Sequence, residues 1–298
     1  MWLPGIILGL AVLIVLGKLA FDGSTPSPFE NSHSDGTMPL PTPAPASLHD
    51  TRTRPADGMA MVHVPGGAFL MGSDEHDINE QPVHAVTLDA FWIDQTEVTN
   101  AQFAAFLNDQ GNQAEGSAPW LDLTSIYSPI EQTGGEYRPK SGYADHPVTK
   151  ISWYGADAYC RWAGAQLPTE AQWEYAARGQ DGYIYPFGND APTCELAQFS
   201  GCSGDTIPVG GLIDGASWCD AMDMAGNVSE WTSDWDGDYF PGAQTNPTGP
   251  AEGLYKVLRG GAFNSYATDI RTSRRYGHAP LPGYGNIGFR CADVAPGQ

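Results

Sequence analysis

The run Asp223-Met224-Ala225-Gly226-Asn227-Val228-Ser229-Glu230-Trp231 constrains this chain more than any other. Gly226-Asn227 marks a tight turn. Two carboxylates, Asp223 and Glu230, bracket it. Carboxylates and turn carbonyls are the hard oxygen donors that Ca²⁺ prefers. A chain that places them together in a turn has a ready means of fixing irregular backbone.

Irregular backbone is what the rest of the sequence calls for. It holds 36 Gly and 24 Pro, and periodicity is poor after Gly179. So many loop residues need an external staple, from disulfides or a metal ion. The N-terminal half is more regular. Met61–Phe69, with Gly66-Gly67, and His84–Ile93 read as strands. Thr99 with Gln102 forms a capping box for a helix whose Phe103, Phe106 and Leu107 share a face. Ser152 caps a second helix carrying Trp153, Ala156, Tyr159, Cys160 and Ala163, stopped by Gly164. Thr169 and Gln172 cap a third, which runs through Ala177 to Gly179. Helices early, with short strands and long loops later, make the fold class α+β.

Acidic residues outnumber basic ones by 35 to 14, a formal charge of -21. Nucleic acid and anionic lipid headgroups both require basic patches and are excluded as partners. Trp2 to Gly17 is apolar, so residues 1–21 read as a membrane anchor or a signal segment; a spanning helix needs roughly 20 residues. Residues 22–57, with Pro39, Pro41, Pro43 and Pro45 at alternate positions, read as a disordered tether. The folded domain is expected over 58–294, with a short tail at 295–298.

Four further motifs accompany the acidic turn. They are Gly-Gly-Ala-Phe-Leu-Met-Gly-Ser at 66–73, Gln-Leu-Pro-Thr-Glu-Ala-Gln-Trp-Glu-Tyr-Ala-Ala-Arg-Gly at 166–179, Leu-Arg-Gly-Gly-Ala-Phe at 258–263 and Gly-Phe-Arg-Cys-Ala at 288–292. Together the five resemble the formylglycine-generating enzyme, or sulfatase-modifying factor, family over about 59–293. The resemblance implies a single compact loop-rich domain of the C-type-lectin-like type. It implies a structural calcium held by the Asp223 and Glu230 side chains and by the carbonyls of Gly226 and Val228. It also implies a disulfide between Cys160 and Cys291. Of the five cysteines, that leaves Cys194, Cys202 and Cys219, with their pairing open and at least one unpaired.

The enzymes that name the family bind one copper ion through two cysteines just after Arg-Gly-Gly. Soft thiolates suit Cu(I). Here the stretch runs from Arg259 to Arg271 without a cysteine, and the first copper position falls at Ser265. Copper-dependent formylglycine synthesis is therefore not expected, and no other redox metal is identified. The cleft suggested by the resemblance comprises Ser265, Tyr266, Asp269, Arg271, Arg275, Tyr276, His278 and Asn286. Such groups serve acid–base catalysis or recognition. Two functions follow. One is an oxidoreductase-like maturation factor that does not use paired cysteines. The other is a non-catalytic, calcium-stabilised binding module whose C-terminal loops meet a protein, peptide or glycan client. In either case the domain is expected outside the cytoplasm, periplasmic or extracellular.

Overall fold

The two capping boxes fix the helices. In the computed structural model, which describes residues 46–294, the Thr99 side chain accepts from the Gln102 backbone N–H and opens α1, Asn100–Gln110. Ser152 opens α2, Trp153–Trp162, and Thr169 with Gln172 opens α3, Glu170–Arg178. Each cap satisfies a backbone donor that a helix start leaves orphaned.

Three sheets of more than two strands carry the rest. One runs Thr51–Thr53, Ala60–Val64, Phe91–Asp94, Ala292–Val294, all antiparallel, so the two ends of the domain close one sheet. The second runs Arg275–His278, Lys256–Arg259, Ser229–Trp235, Ile287–Phe289, its last pair parallel. The third joins Gln244–Thr245, His84–Leu88 and Gly67–Met71. Long irregular connections separate these short strands, as the glycine and proline content requires.

Phe103 and Phe106 of α1, Tyr159 of α2 and Phe289 form an aromatic core beside a disulfide between Cys160 and Cys291. A second core packs Val62, Phe69, Val86 and Ile93 against Trp173 and Tyr175 of α3. Cys194 pairs with Cys202, and Cys219 is free and buried.

The expected boundary at residue 57 is too late. Thr51–Thr53 is a strand, and Arg54 is buried, with Nη1 2.6 Å from Asp94 Oδ1 and Nη2 2.6 Å from Asp57 Oδ2. Tyr159 Oη donates to Asp57 Oδ2 at 2.6 Å. Residues 51–57 lack apolar content, and composition therefore assigned them to the linker. Ion pairing with a residue 40 positions on holds them instead. The anchor or signal expected over 1–21, the linker up to residue 45 and the tail 295–298 lie outside the described residues. Among the described residues no helix is long and apolar enough to cross a membrane.

Candidate functional site

The acidic turn is the hub of the loop-rich half. Gly226 has φ +87°, and a Cβ there would stand 2.1 Å from the Gln198 carbonyl oxygen, so only glycine fits. Asn227, at φ +57°, ties three segments together. Its N–H donates to Gln198 O at 2.7 Å, its carbonyl accepts from Phe263 N at 3.0 Å, and its Oδ1 accepts from Ile207 N at 3.0 Å. Gly226 N–H reaches Gly260 O at 2.9 Å. The turn thus positions the Arg259-Gly260-Gly261 segment and everything that follows it.

The four expected calcium ligands do not act as one set. Glu230 is fully committed: Oε1 accepts from Arg290 Nη2 at 2.7 Å, and Oε2 from Arg290 Nε at 2.7 Å and Trp173 Nε1 at 2.9 Å. A guanidinium in bidentate contact already supplies the counter-charge a cation would bring. Asp223 is buried and accepts from Gly210 N at 2.6 Å. Beside it lies a carboxylate that the motif did not reveal. Glu97 is completely buried, and neither of its oxygens has a hydrogen-bond partner. Burial first, then the Asp223 charge, pushes Glu97 well above the usual carboxylate range; burial also raises Asp223. Unpartnered buried oxygens are costly. A proton on Glu97, donated to the Asp223 carboxylate beside it, relieves the cost. Glu97 and Asp223 supply hard oxygen donors of the kind calcium takes and Glu230 does not, but among the described residues no group of three or more His, Cys, Asp or Glu side chains is placed to hold a metal ion. Glu97 stands alone between Ile93 and the capping Thr99, with no spacing pattern in the sequence to flag it.

The expected cleft residues are likewise divided. Arg271 is buried, with Nη1 2.9 Å and Nη2 2.8 Å from the two oxygens of Glu80. Arg275 makes the same kind of fork to Glu170, at 2.7 and 2.9 Å. Both are structural ion pairs. Asp269 lies 3.6 Å from Arg274 Nε, and it shares a separate cavity with His76, Asp77 and Thr268. His278 stands edge-on between Trp231 and Tyr284, with Nδ1 2.8 Å from Ala279 O. Tyr276 is half-buried under the Arg274 guanidinium, and Tyr266 is exposed to solvent.

Asn286 reaches the turn that carries Ser265, through Asn264. Ser265 Oγ accepts from Ala262 N at 3.0 Å, and its carbonyl accepts from Ser200 N at 2.8 Å. Asn286 Nδ2 donates to Asn264 Oδ1 at 3.0 Å, while its carbonyl accepts from Ser229 N at 2.9 Å. A hydroxyl closes the turn where copper chemistry would need a thiol. No other thiol among the described residues can replace it. Four cysteines are in disulfides, and Cys219 is buried with its pKa pushed up to about 11. The residues present do not fit a thiolate copper centre.

Against this turn opens a cavity of about 380 Å³. Phe263 and Gly285 form one wall; Tyr127, Lys140, Tyr143 and Lys150 form the others. Asp205 also faces it, but its oxygens accept from Tyr143 Oη at 2.7 Å and Thr206 N at 2.8 Å. None of the cavity-lining residues outside the 262–286 segment was anticipated from the sequence, because they come from loops far apart in the chain.

Residues 46–295 match the sulfatase-modifying factor enzyme 1-like domain. The chain belongs to this family. It is 35% identical to the formylglycine-generating enzyme of Streptomyces coelicolor over 86% of this chain and 96% of that one. It is 32% identical to that of Bos taurus, over 80% and 76%. A serine/threonine-protein kinase, pkn1 of Chlamydia caviae, is 40% identical over 78% of this chain, yet the match spans only 37% of the kinase's length. In structure, PvdO from Pseudomonas aeruginosa superimposes with a TM-score of 0.67 at 23% identity, covering 84% of this chain and all of PvdO, which shows a common fold.

Proposed function

We propose that this chain is a non-catalytic recognition member of the formylglycine-generating-enzyme-like family. It presents the turn after Arg259-Gly260-Gly261, and the cavity beside it, to a peptide or protein client. One observation carries the reading. Every cysteine among the described residues is either in a disulfide or, as Cys219, buried in the core, while Ser265 stands where a copper thiolate belongs. Cu(I) needs soft thiolate ligands, and the one free thiol among the described residues, Cys219, packs in the core against Ser217 and Ala176. Calcium would serve as a structural cofactor held through Asp223 and Glu97. The two disulfides support placing the domain in an oxidising compartment, tethered or exported by the apolar N-terminal run.

The test is to incubate purified protein with Cu(I), O₂ and a cysteine-containing peptide. The expected result is an unchanged peptide mass and no copper-dependent O₂ uptake. Conversion of the cysteine to an aldehyde with stoichiometric copper would overturn the reading. A second reading, an oxidoreductase acting without paired cysteines, is favoured by the identity to the formylglycine-generating enzymes and by 36% identity to the hercynine oxygenase of Mycolicibacterium thermoresistibile over 72% of this chain and 54% of that one. Copper-independent O₂ uptake in the same assay would favour it.

A further inference from the structure

Every arginine among the described residues lies within salt-bridge distance of a carboxylate. The lysines behave differently. The chain has four, against 35 acidic residues. Lys256 is wedged between Trp153 and Trp235, 3.9 Å from each ring, and donates to Ser233 O at 2.7 Å, so it belongs to the packing. Lys140 and Lys150 both line the cavity beside the Ser265 turn, and among the described residues neither is ion-paired. In a chain so acidic, two lysines beyond salt-bridge distance of any described carboxylate, facing one cavity with Asp205 as its one acidic lining residue, leave a local excess of positive charge.

One carboxylate offsets part of that charge. Asp205 is the carboxylate lining the same cavity, and both its oxygens are hydrogen-bonded. Tyr143, which holds Asp205, packs at 4.8 Å on His146, and His146 Nδ1 is 2.9 Å from Thr206 Oγ1; burial lowers the His146 pKa, so it adds no cation at neutral pH. Lys140 Nζ donates to Ile126 O at 2.9 Å, which orients it and leaves two further N–H donors. Lys150 lies against the wall formed by Gly285, its Cε 3.6 Å from where a Cβ on Gly285 would stand. Ile126 and Tyr127 line the mouth while 79% and 75% exposed, and Tyr284, next to Gly285, is 68% exposed. Exposed aromatic and aliphatic side chains around a charged cavity are the composition of a protein-recognition patch.

We propose that this cavity binds a carboxylate side chain of a peptide client between Lys140 and Lys150, with a neighbouring apolar residue of the client on Ile126 and Tyr127. This deepens the recognition reading above and rests on it. Charge complementarity selects the partner: two ammonium groups outside any salt bridge among the described residues, set against the single cavity carboxylate of Asp205, match an acidic segment. The cavity volume of about 380 Å³ has room for one or two client side chains.

The test uses the full chain and a fluorescein-labelled Glu-Tyr-Glu-Tyr peptide, with its Gln-Tyr-Gln-Tyr analogue as control, read by fluorescence anisotropy. The acidic peptide is expected to bind at least tenfold tighter than the amide analogue. Lys140→Gln and Lys150→Gln should each weaken it about fivefold to tenfold, and Lys→Arg at both positions should preserve it. Inorganic phosphate at millimolar concentration should displace the acidic peptide. Equal binding of the two peptides, or wild-type affinity in the double Lys→Gln variant, would overturn the proposal. So would binding of phosphate with no binding of either peptide, since the site would then serve a small free anion. Copper uptake and O₂ consumption are measured independently of the lysine variants. An active copper protein that still bound the acidic peptide through Lys140 and Lys150 would refute the recognition-only function while upholding this site.

Discussion

Removing the Cys160–Cys291 disulfide should cost far more stability than removing Cys194–Cys202. The first closes a loop of 131 positions, the second a loop of 8. In the chain-entropy model the unfolded state regains about 5 kcal/mol of freedom in the first case and about 2.5 kcal/mol in the second. The environments widen the gap. Cys160 and Cys291 are buried in the aromatic core with Tyr159 and Phe289, so truncation there also leaves a void, whereas Cys194 is exposed. The whole domain is expected to be stable by only about 5–15 kcal/mol. Urea denaturation followed by tryptophan fluorescence should therefore show the Cys160→Ala/Cys291→Ala variant near the limit of folding at 25 °C. The Cys194→Ala/Cys202→Ala variant should keep a clear folded baseline. Equal losses, or a larger loss for the short loop, would refute the claim that this long-range clasp staples an irregular chain.

Other expectations follow from the buried charges. Calcium should raise the thermal midpoint of the wild type, and Asp223→Ala or Glu97→Gln should abolish that rise; a chelator-insensitive midpoint would remove calcium from the account. Arg290→Met strands Glu230 with neither counter-charge nor solvent and should cost about 3–5 kcal/mol in urea titration. Asp234 is buried and its pKa is raised from 3.8 to about 7, chiefly by burial and then by Glu170. Because the folded value is the higher one, its contribution is intact below about pH 4 and is lost as pH rises to 7, by roughly 4 kcal/mol at most. Asp234→Asn should therefore gain stability relative to the wild type between pH 4 and 8, and a pH-independent difference would contradict the raised value.

What could be read from the sequence was local. The Thr99 and Thr169 capping boxes, the Ser152 cap and the Gly226-Asn227 turn each depend on residues within a few positions, and each stands in the structure. The Cys160–Cys291 clasp was implied by family resemblance and is present. What escaped was long-range charge pairing. Arg271 meets Glu80, Arg275 meets Glu170 and Arg54 meets Asp94, partners that lie 191, 105 and 40 positions away. The family resemblance therefore suggested one cleft along 265–286 where the structure spends Arg271 and Arg275 on the interior. Glu97 escaped for a related reason: its significance is burial beside Asp223, and nothing in Thr96-Glu97-Val98 announces burial. The lysine-lined cavity is assembled from five separate segments, so no single motif encodes it.

The central claim is that the fold persists while the turn after Arg259-Gly260-Gly261 has no thiolate to offer a redox metal. Anaerobic Cu(I) titration of the reduced and oxidised protein against a competing chelator tests it most directly. The account predicts no copper retained by the folded, disulfide-intact chain. Retention of one Cu(I) per folded, disulfide-intact chain would contradict it.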